Sequence, residues 1–178
     1  MSAIVSRRLE LVPGTLALLD AELESTDRLA ALLGAQAPPG WPPGEYDRGA
    51  MEHFRRCLSE RPDTAGWYGW YAILRGTGGR PPMLVGAGGY FGPPDGEGVV
   101  EIGYSFVPEF GGRGYATELV EALAGHAFAT GRVRRIIAHT DAGNAGSRRV
   151  LEKAGFSVAG PGEGPGVIEY ALCRPGPS

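Results

Sequence analysis

Lysine is almost missing from this chain. Lys153 stands alone among 17 basic residues, and the others are arginine. Neither sign of charge dominates: 17 basic and 20 acidic residues leave a net charge of −3, with the signs mixed along the sequence. That balance argues against a general nucleic-acid binder or a binder of anionic membrane surfaces, both of which need a concentrated basic face. Cysteine is scarce too. Cys57 and Cys173 lie far apart, with no CxxC pair, so a zinc site is disfavoured; both read as free thiols, with a single disulfide as the alternative. No apolar run approaches ~18 residues, and Met1 to Leu11 lacks the apolar stretch of a secretory signal. No membrane span is expected, and the expected compartment is the cytoplasm.

Glycine and proline are abundant, at 30 and 15 of 178 residues. They follow no short period and cluster between apolar runs, which marks loops rather than disorder. The length suits one domain over residues 1–178 with a sizeable core.

The spacing predicts a strand over Ile4 to Leu11, a helix over Thr15 to Leu23, and a short helix capped by Ser25 or Thr26 that ends near Gly34. A Pro/Gly-rich loop around Trp41 follows, then a helix over Glu45 to Glu60 with Met51, Phe54 and Leu58 on one stripe. Three strands come next: Gly66 to Arg75, Met83 to Phe91 and Val99 to Val107. Their short connections favour an antiparallel meander. Ala116, Leu119, Val120, Leu123 and Ala127 form one helical face over Gly114 to Thr130. A strand over Val133 to His139, a helix over Asn144 to Ala154, and strands over Phe156 to Ala159 and Val167 to Cys173 complete the chain. The fold class is α/β of the α+β type: a mixed, mostly antiparallel sheet flanked by helices.

The densest chemical signal is Gly111-Gly112-Arg113-Gly114-Tyr115-Ala116-Thr117-Glu118, a glycine turn between a strand and a helix. A helix N-terminus leaves its first N–H groups unpaired and carries partial positive charge, which suits a phosphate. Gly111, Gly112 and Gly114 remove blocking side chains and permit φ > 0. Arg113 adds a positive charge, and the small Ala116 and Thr117 let a ligand approach. There is no GxxxxGK[ST] and no GxGxxG after the first strand, so nucleoside-triphosphate and dinucleotide loops fit poorly.

Pro108 to Glu118 resembles the acyl-CoA-binding motif of the GCN5-related N-acetyltransferase (GNAT) superfamily, written Q/R-x-x-G-x-G/A. Asn144-x-x-Ser147 followed by Leu151-Glu152-Lys153-x-Gly155-Phe156 resembles the next motif, in the branch containing the ribosomal-protein N-terminal acetyltransferases. The resemblance implies a GNAT fold across nearly the whole chain and acetyl-CoA as co-substrate, with no metal. It also implies direct attack of a primary amine on the thioester in a ternary complex. The acceptor is a protein N-terminus or an amine-bearing small molecule. A non-catalytic CoA-binding module is the alternative, and a homodimer stays open. Two positions depart from the pattern: Gly111 replaces the motif's Gln or Arg, and Leu151 stands where several members carry a tyrosine general acid.

Glu101 is the expected general base, a carboxylate in the apolar run before the loop that is costly to bury unless it is paired or solvated in a cleft. The resemblance implies a bulge in that strand, with Phe106 and Val107 offering backbone groups to the pantetheine arm. Phosphate contacts are expected from Gly111, Gly112, Arg113, Gly114, Tyr115, Ala116 and Thr117. Asn144 reads as a helix N-cap and, with Ser147, as a coenzyme contact. Tyr104 reads as a core aromatic, with a catalytic role as the weaker alternative, His126 as a surface residue, and His139 as a strand residue that is a candidate to face the cleft.

Overall fold

The computed structural model describes residues 2–176. The first expected strand is split into β1 (Ile4–Val5) and β2 (Leu9–Pro13), which pair antiparallel. The Ser6 hydroxyl accepts from Leu9 N–H, and the Glu118 carboxylate accepts from the N–H groups of Arg8 and Leu9. Those bonds take the backbone out of the ladder at residues 6–8.

Helices α1 (Leu16–Glu24) and α2 (Thr26–Leu33) start at Thr15 and Ser25, whose side chains accept from Leu18 and Arg28 N–H. Gly34, at φ 62°, closes α2. The loop over residues 35–47 touches the sheet through a bridge from Gln36 to Met83. Asp47 then caps α3 (Arg48–Glu60) by accepting from Ala50 N–H, which moves the helix start past Glu45. The buried stripe of α3 is Met51, Phe54 and Leu58.

The meander consists of β3 (Gly69–Leu74), β4 (Met83–Tyr90) and β5 (Val99–Phe106), antiparallel throughout. After β5 come α4 (Tyr115–Ala129), β6 (Arg135–Asp141), α5 (Ala145–Lys153), β7 (Ser157–Pro161) and β8 (Val167–Cys173). The eight strands form one sheet in the order β1-β2-β3-β4-β5-β6-β8-β7. Among the described strands, only β5 and β6 pair parallel.

Each face of the sheet has its own core. On one, Leu119, Val120, Leu123 and Ala127 of α4 and Leu151 of α5 pack on Leu9, Val100, Ile102, Ile136 and Tyr170. On the other, α1, α2 and α3 bury Leu19, Leu29, Phe54 and Leu58 against Tyr71, Ile73 and Leu84. His126, expected at the surface, and Tyr104, expected in the core, both stand partly buried against this first side. His126 stands edge-on to the Trp70 ring at 5.3 Å, and burial lowers its pKa. Tyr104 is half-buried, with its hydroxyl at the start of α5.

The site depends on one break in this sheet. The β5–β6 ladder holds only Val99↔Arg135, Val100↔Ile136 and Glu101↔Ile137. Beyond Glu101, β5 stays with β4 while β6 stays with β8. A gap opens between them and passes from one face of the sheet to the other.

Candidate active site

A cleft of about 550 Å³ fills this gap. Its walls include Glu101 to Ser105 of β5, Ala138 to Asp141 of β6, Asn144 and Ser147 at the start of α5, and Gly44 to Tyr46 of the loop before α3. Antiparallel register decides which backbone groups of β5 face it. Phe91 N–H donates to Glu101 C=O, and Val107 N–H donates to Val85 C=O, so the odd-numbered residues spend their groups on β4. The even-numbered Tyr104 and Phe106 turn theirs toward the gap.

Two expectations change here. No bulge interrupts β5: its register with β4 runs evenly from Gly86↔Phe106 to Tyr90↔Ile102. Val107 has no free N–H, its C=O accepts from Phe110 N–H, and its side chain is buried. Phe106 therefore presents its backbone to the gap without Val107.

The glycine loop ends at Gly114, which caps α4 in the left-handed region at φ 82°, with no capping side chain. Gly112 has φ 72°. Gly111 lies in ordinary extended conformation at φ −67°, so its backbone does not call for glycine, contrary to expectation, although a Cβ there would lie 3.1 Å from the Pro108 carbonyl oxygen. Among the described residues, no protein acceptor takes the N–H groups of Gly112, Arg113, Gly114, Tyr115, Ala116 or Thr117.

Arg8 braces this loop from the β1–β2 turn. Its Nε lies 2.8 Å from Glu118 Oε2, its Nη1 donates to Arg113 C=O at 2.9 Å, and its guanidinium covers the Tyr115 ring at 4.5 Å. Burial works against charge on Glu118. Hydrogen bonds from the Arg8 backbone, the Ser6 hydroxyl and the Arg8 guanidinium outweigh it and pull the pKa down to about 2. A groove beside the loop collects Arg7, Arg113 and the single lysine, Lys153.

Side chains of β5 alternate across the gap. On the α3 face stands Glu101. It is 36% exposed and paired. Its Oε1 lies 2.8 Å from His139 Nδ1, and Glu169 Oε2 lies 3.3 Å from His139 Nε2. Glu169 is held in turn by Arg135 at 3.0 Å. The strand order places these groups side by side, since Glu101 is level with Ile137 and His139 is level with Glu169. The hydrogen bond to Glu101 is the main reason that the His139 pKa is raised.

On the α5 face, the Tyr104 hydroxyl lies 3.0 Å from Ser147 Oγ and donates to Ser147 C=O at 3.2 Å. Burial raises the Tyr104 pKa, so the phenol keeps its proton. Asn144 Oδ1 accepts from Ser147 N–H at 3.0 Å and so caps α5.

Comparison with known proteins points the same way. The acetyltransferase (GNAT) domain matches residues 15–157. The chain is 30% identical over 156 residues to an uncharacterized N-acetyltransferase, YjdG, of Bacillus subtilis, covering 88% of this chain and 90% of that one. The chain is a GNAT acetyltransferase. Solved structures share the fold. One is the ribosomal L7/L12 α-N-protein acetyltransferase RimL in complex with coenzyme A (TM-score 0.67, 19% identity, 97% and 98% of the two chains). Another, from Salmonella typhimurium, is described as modifying the N-terminal serine of ribosomal protein L7/L12 (TM-score 0.66, 18% identity, 98% and 100%).

GNAT enzymes take their acyl group from acetyl-CoA, and the loop of this acetyltransferase fits that co-substrate. Six unpaired N–H groups open onto a helix N-terminus, glycines keep side chains off them, and basic residues flank them. Glu169 is the member of the Glu101–His139 cluster that the sequence does not single out, because only strand order brings it to His139. His139, a candidate from its strand, lines the cleft, and Tyr104, read first as a core aromatic, meets Ser147 through its hydroxyl.

Proposed function

We propose that this acetyltransferase transfers the acetyl group of acetyl-CoA to a primary amine by direct attack within a ternary complex, and that the amine is a protein N-terminus or a small-molecule amine. The Glu101–His139 pair carries this reading. It lies at 2.8 Å, on the α3 face, where β5 and β6 part. The acceptor enters from that face and the coenzyme from the face of α4 and α5.

The ammonium of the acceptor meets an acidic surface: Glu45, Glu101 and Asp141 all line the cleft. Glu101, hydrogen-bonded to His139, takes the ammonium proton, and Glu169 holds the far side of the imidazole. Bound acetyl-CoA supplies a thioester carbonyl as electrophile and a thiolate as leaving group. Phe106, Gly112, Arg113, Gly114, Tyr115, Ala116, Thr117, Asn144 and Ser147 hold it, and Gly111 shapes the turn. The free backbone N–H groups of β5 are donors for charge that develops on the carbonyl oxygen. The Tyr104 phenol, kept protonated beside Ser147, holds the proton that the thiolate needs. Cys57 has a histidine neighbour, His53 Nε2 at 3.6 Å, but lies outside the cleft and takes no part. The relative that modifies an N-terminal serine favours a protein N-terminus as acceptor.

The test combines calorimetric titration with acetyl-CoA and turnover of a short peptide bearing a free N-terminal serine. One site per chain and CoA release with the wild-type protein are expected. Glu101→Gln should lower kcat by about 10²–10⁴-fold and leave acetyl-CoA affinity unchanged. Unchanged kcat removes Glu101 from the mechanism.

A further inference from the structure

One buried carboxylate takes no part in this chemistry. Glu22, in α1, is 7% exposed and, among the described residues, has no cationic partner at its oxygens. Instead it accepts three neutral hydrogen bonds. Trp41 Nε1 donates to Oε1 at 2.9 Å, while the Tyr46 and Tyr71 hydroxyls donate to Oε2 at 2.7 and 2.6 Å. The rings enclose it: Trp41 meets Tyr46 edge-on at 5.9 Å, and Tyr46 meets Tyr71 edge-on at 6.4 Å.

A buried carboxylate is costly, and three apolar side chains of similar volume would fill the same space. Its position suggests a further purpose. Two of its three donors belong to the loop between α2 and α3, and that loop forms the cleft wall on the α3 face. A Cβ placed on Gly44 would lie 3.3 Å from Ser105 Oγ, and one on Gly40 would lie 3.0 Å from Val107 Cγ1, so the loop lies directly against β5. Its ends are fixed by the Gln36 bridge and the Asp47 cap. Between those ends, Glu22 is the polar anchor on its inner side. With the Tyr46 hydroxyl and Trp41 N–H turned inward, the cleft meets the carbon surface of Tyr46 beside Ala50 and Phe54.

We propose that Glu22 is a positioning residue of the acceptor site: by drawing the donors of Trp41, Tyr46 and Tyr71 into the interior, it fixes residues 40–47 as one wall and keeps the Tyr46 part of that wall apolar, beside the acidic Glu45. The acceptor it suits carries an apolar group next to its amine, lying on Tyr46 and Phe54 while the nitrogen faces Glu101. This inference rests on the acceptor entering from the α3 face.

Glu22→Gln is the test, because the amide keeps the shape but has only one acceptor oxygen. Whichever way it turns, at least one of the three donors loses its acceptor. With the N-terminal-serine peptide and acetyl-CoA, the expected result is a rise of about tenfold in peptide KM, with acetyl-CoA affinity unchanged. Tyr46→Phe, which leaves two donors on the carboxylate, should raise peptide KM by about threefold, and covers the case in which Glu22→Gln fails to fold. Hydrogen–deuterium exchange on the whole protein should be faster over residues 40–47 in both variants, with β5 and α4 unchanged. An unmoved peptide KM, or a loss shared equally by both substrates, overturns the inference, as does unchanged exchange over residues 40–47. Failure of the wild-type protein to acetylate the peptide counts against the acceptor reading instead, and the exchange experiment then decides the role of Glu22 by itself.

Discussion

The two faces of the cleft are built from different material. Toward α4 and α5, the site is mostly backbone: the unpaired N–H groups of residues 112–117 and the free edge of β5 at Tyr104 and Phe106. Toward α3, it is side chains: Glu101, His139 and Glu169 in a row, and Tyr46 held from behind by Glu22. A backbone site recognises what every reaction of the family shares, and it is spoiled by whatever a side chain adds. A side-chain site recognises what differs between relatives, and it is spoiled by whatever a substitution removes.

That contrast is open to attack by mutation. The largest effect on coenzyme affinity is expected on the backbone side. Gly114→Val forces a β-branched residue into φ 82° and directs its Cβ toward the Arg8 guanidinium, 3.3 Å away. Acetyl-CoA affinity should fall about a hundredfold in calorimetric titration. Retained affinity would mean that the loop does not hold the coenzyme. Next comes Tyr104→Phe, which keeps the ring and removes the proton beside Ser147. Its kcat should fall about tenfold with both substrate affinities held. An equal loss in acetyl-CoA binding would make Tyr104 a coenzyme contact rather than an acid.

The smallest effect concerns stability. The His139 pKa is raised, chiefly by its hydrogen bond to Glu101. The stabilisation is therefore present in full below the ordinary histidine pKa and fades as pH rises through the folded-state value. The melting temperature of His139→Gln should trail the wild type by about 2 °C more at pH 6 than at pH 9. A gap that does not narrow with rising pH would show that the histidine is not charged beside Glu101.

The same contrast governs what could be read from the sequence. Gly112, Gly114 and the face of α4 are contiguous or periodic, so local rules suffice to place them. Glu101 stands out as a carboxylate within an apolar strand. His139 and Glu169 meet Glu101 only because β6 is inserted between β5 and β8, a long-range arrangement that no local pattern encodes. The β1–β2 turn was read as continuous strand because the carboxylate that draws it aside, Glu118, lies more than a hundred residues away. The β5 bulge, taken from resemblance rather than from the residues, is absent, and register alone frees the backbone of Phe106.

The parting of β5 and β6 has a consequence beyond catalysis. Unpaired strand edges invite other chains to add to a sheet, and proteins usually guard them at the periphery with charge, proline or brevity. Here the outer edge at β1 is only two residues long, yet two further edges lie in the middle of the sheet, where β5 and β6 turn away from each other. They are set inward by position: the loop before α3 lines one side and the start of α5 the other. The open hydrogen-bonding groups of β5 and β6 thus lie away from the periphery, where a second chain adds to a sheet most readily.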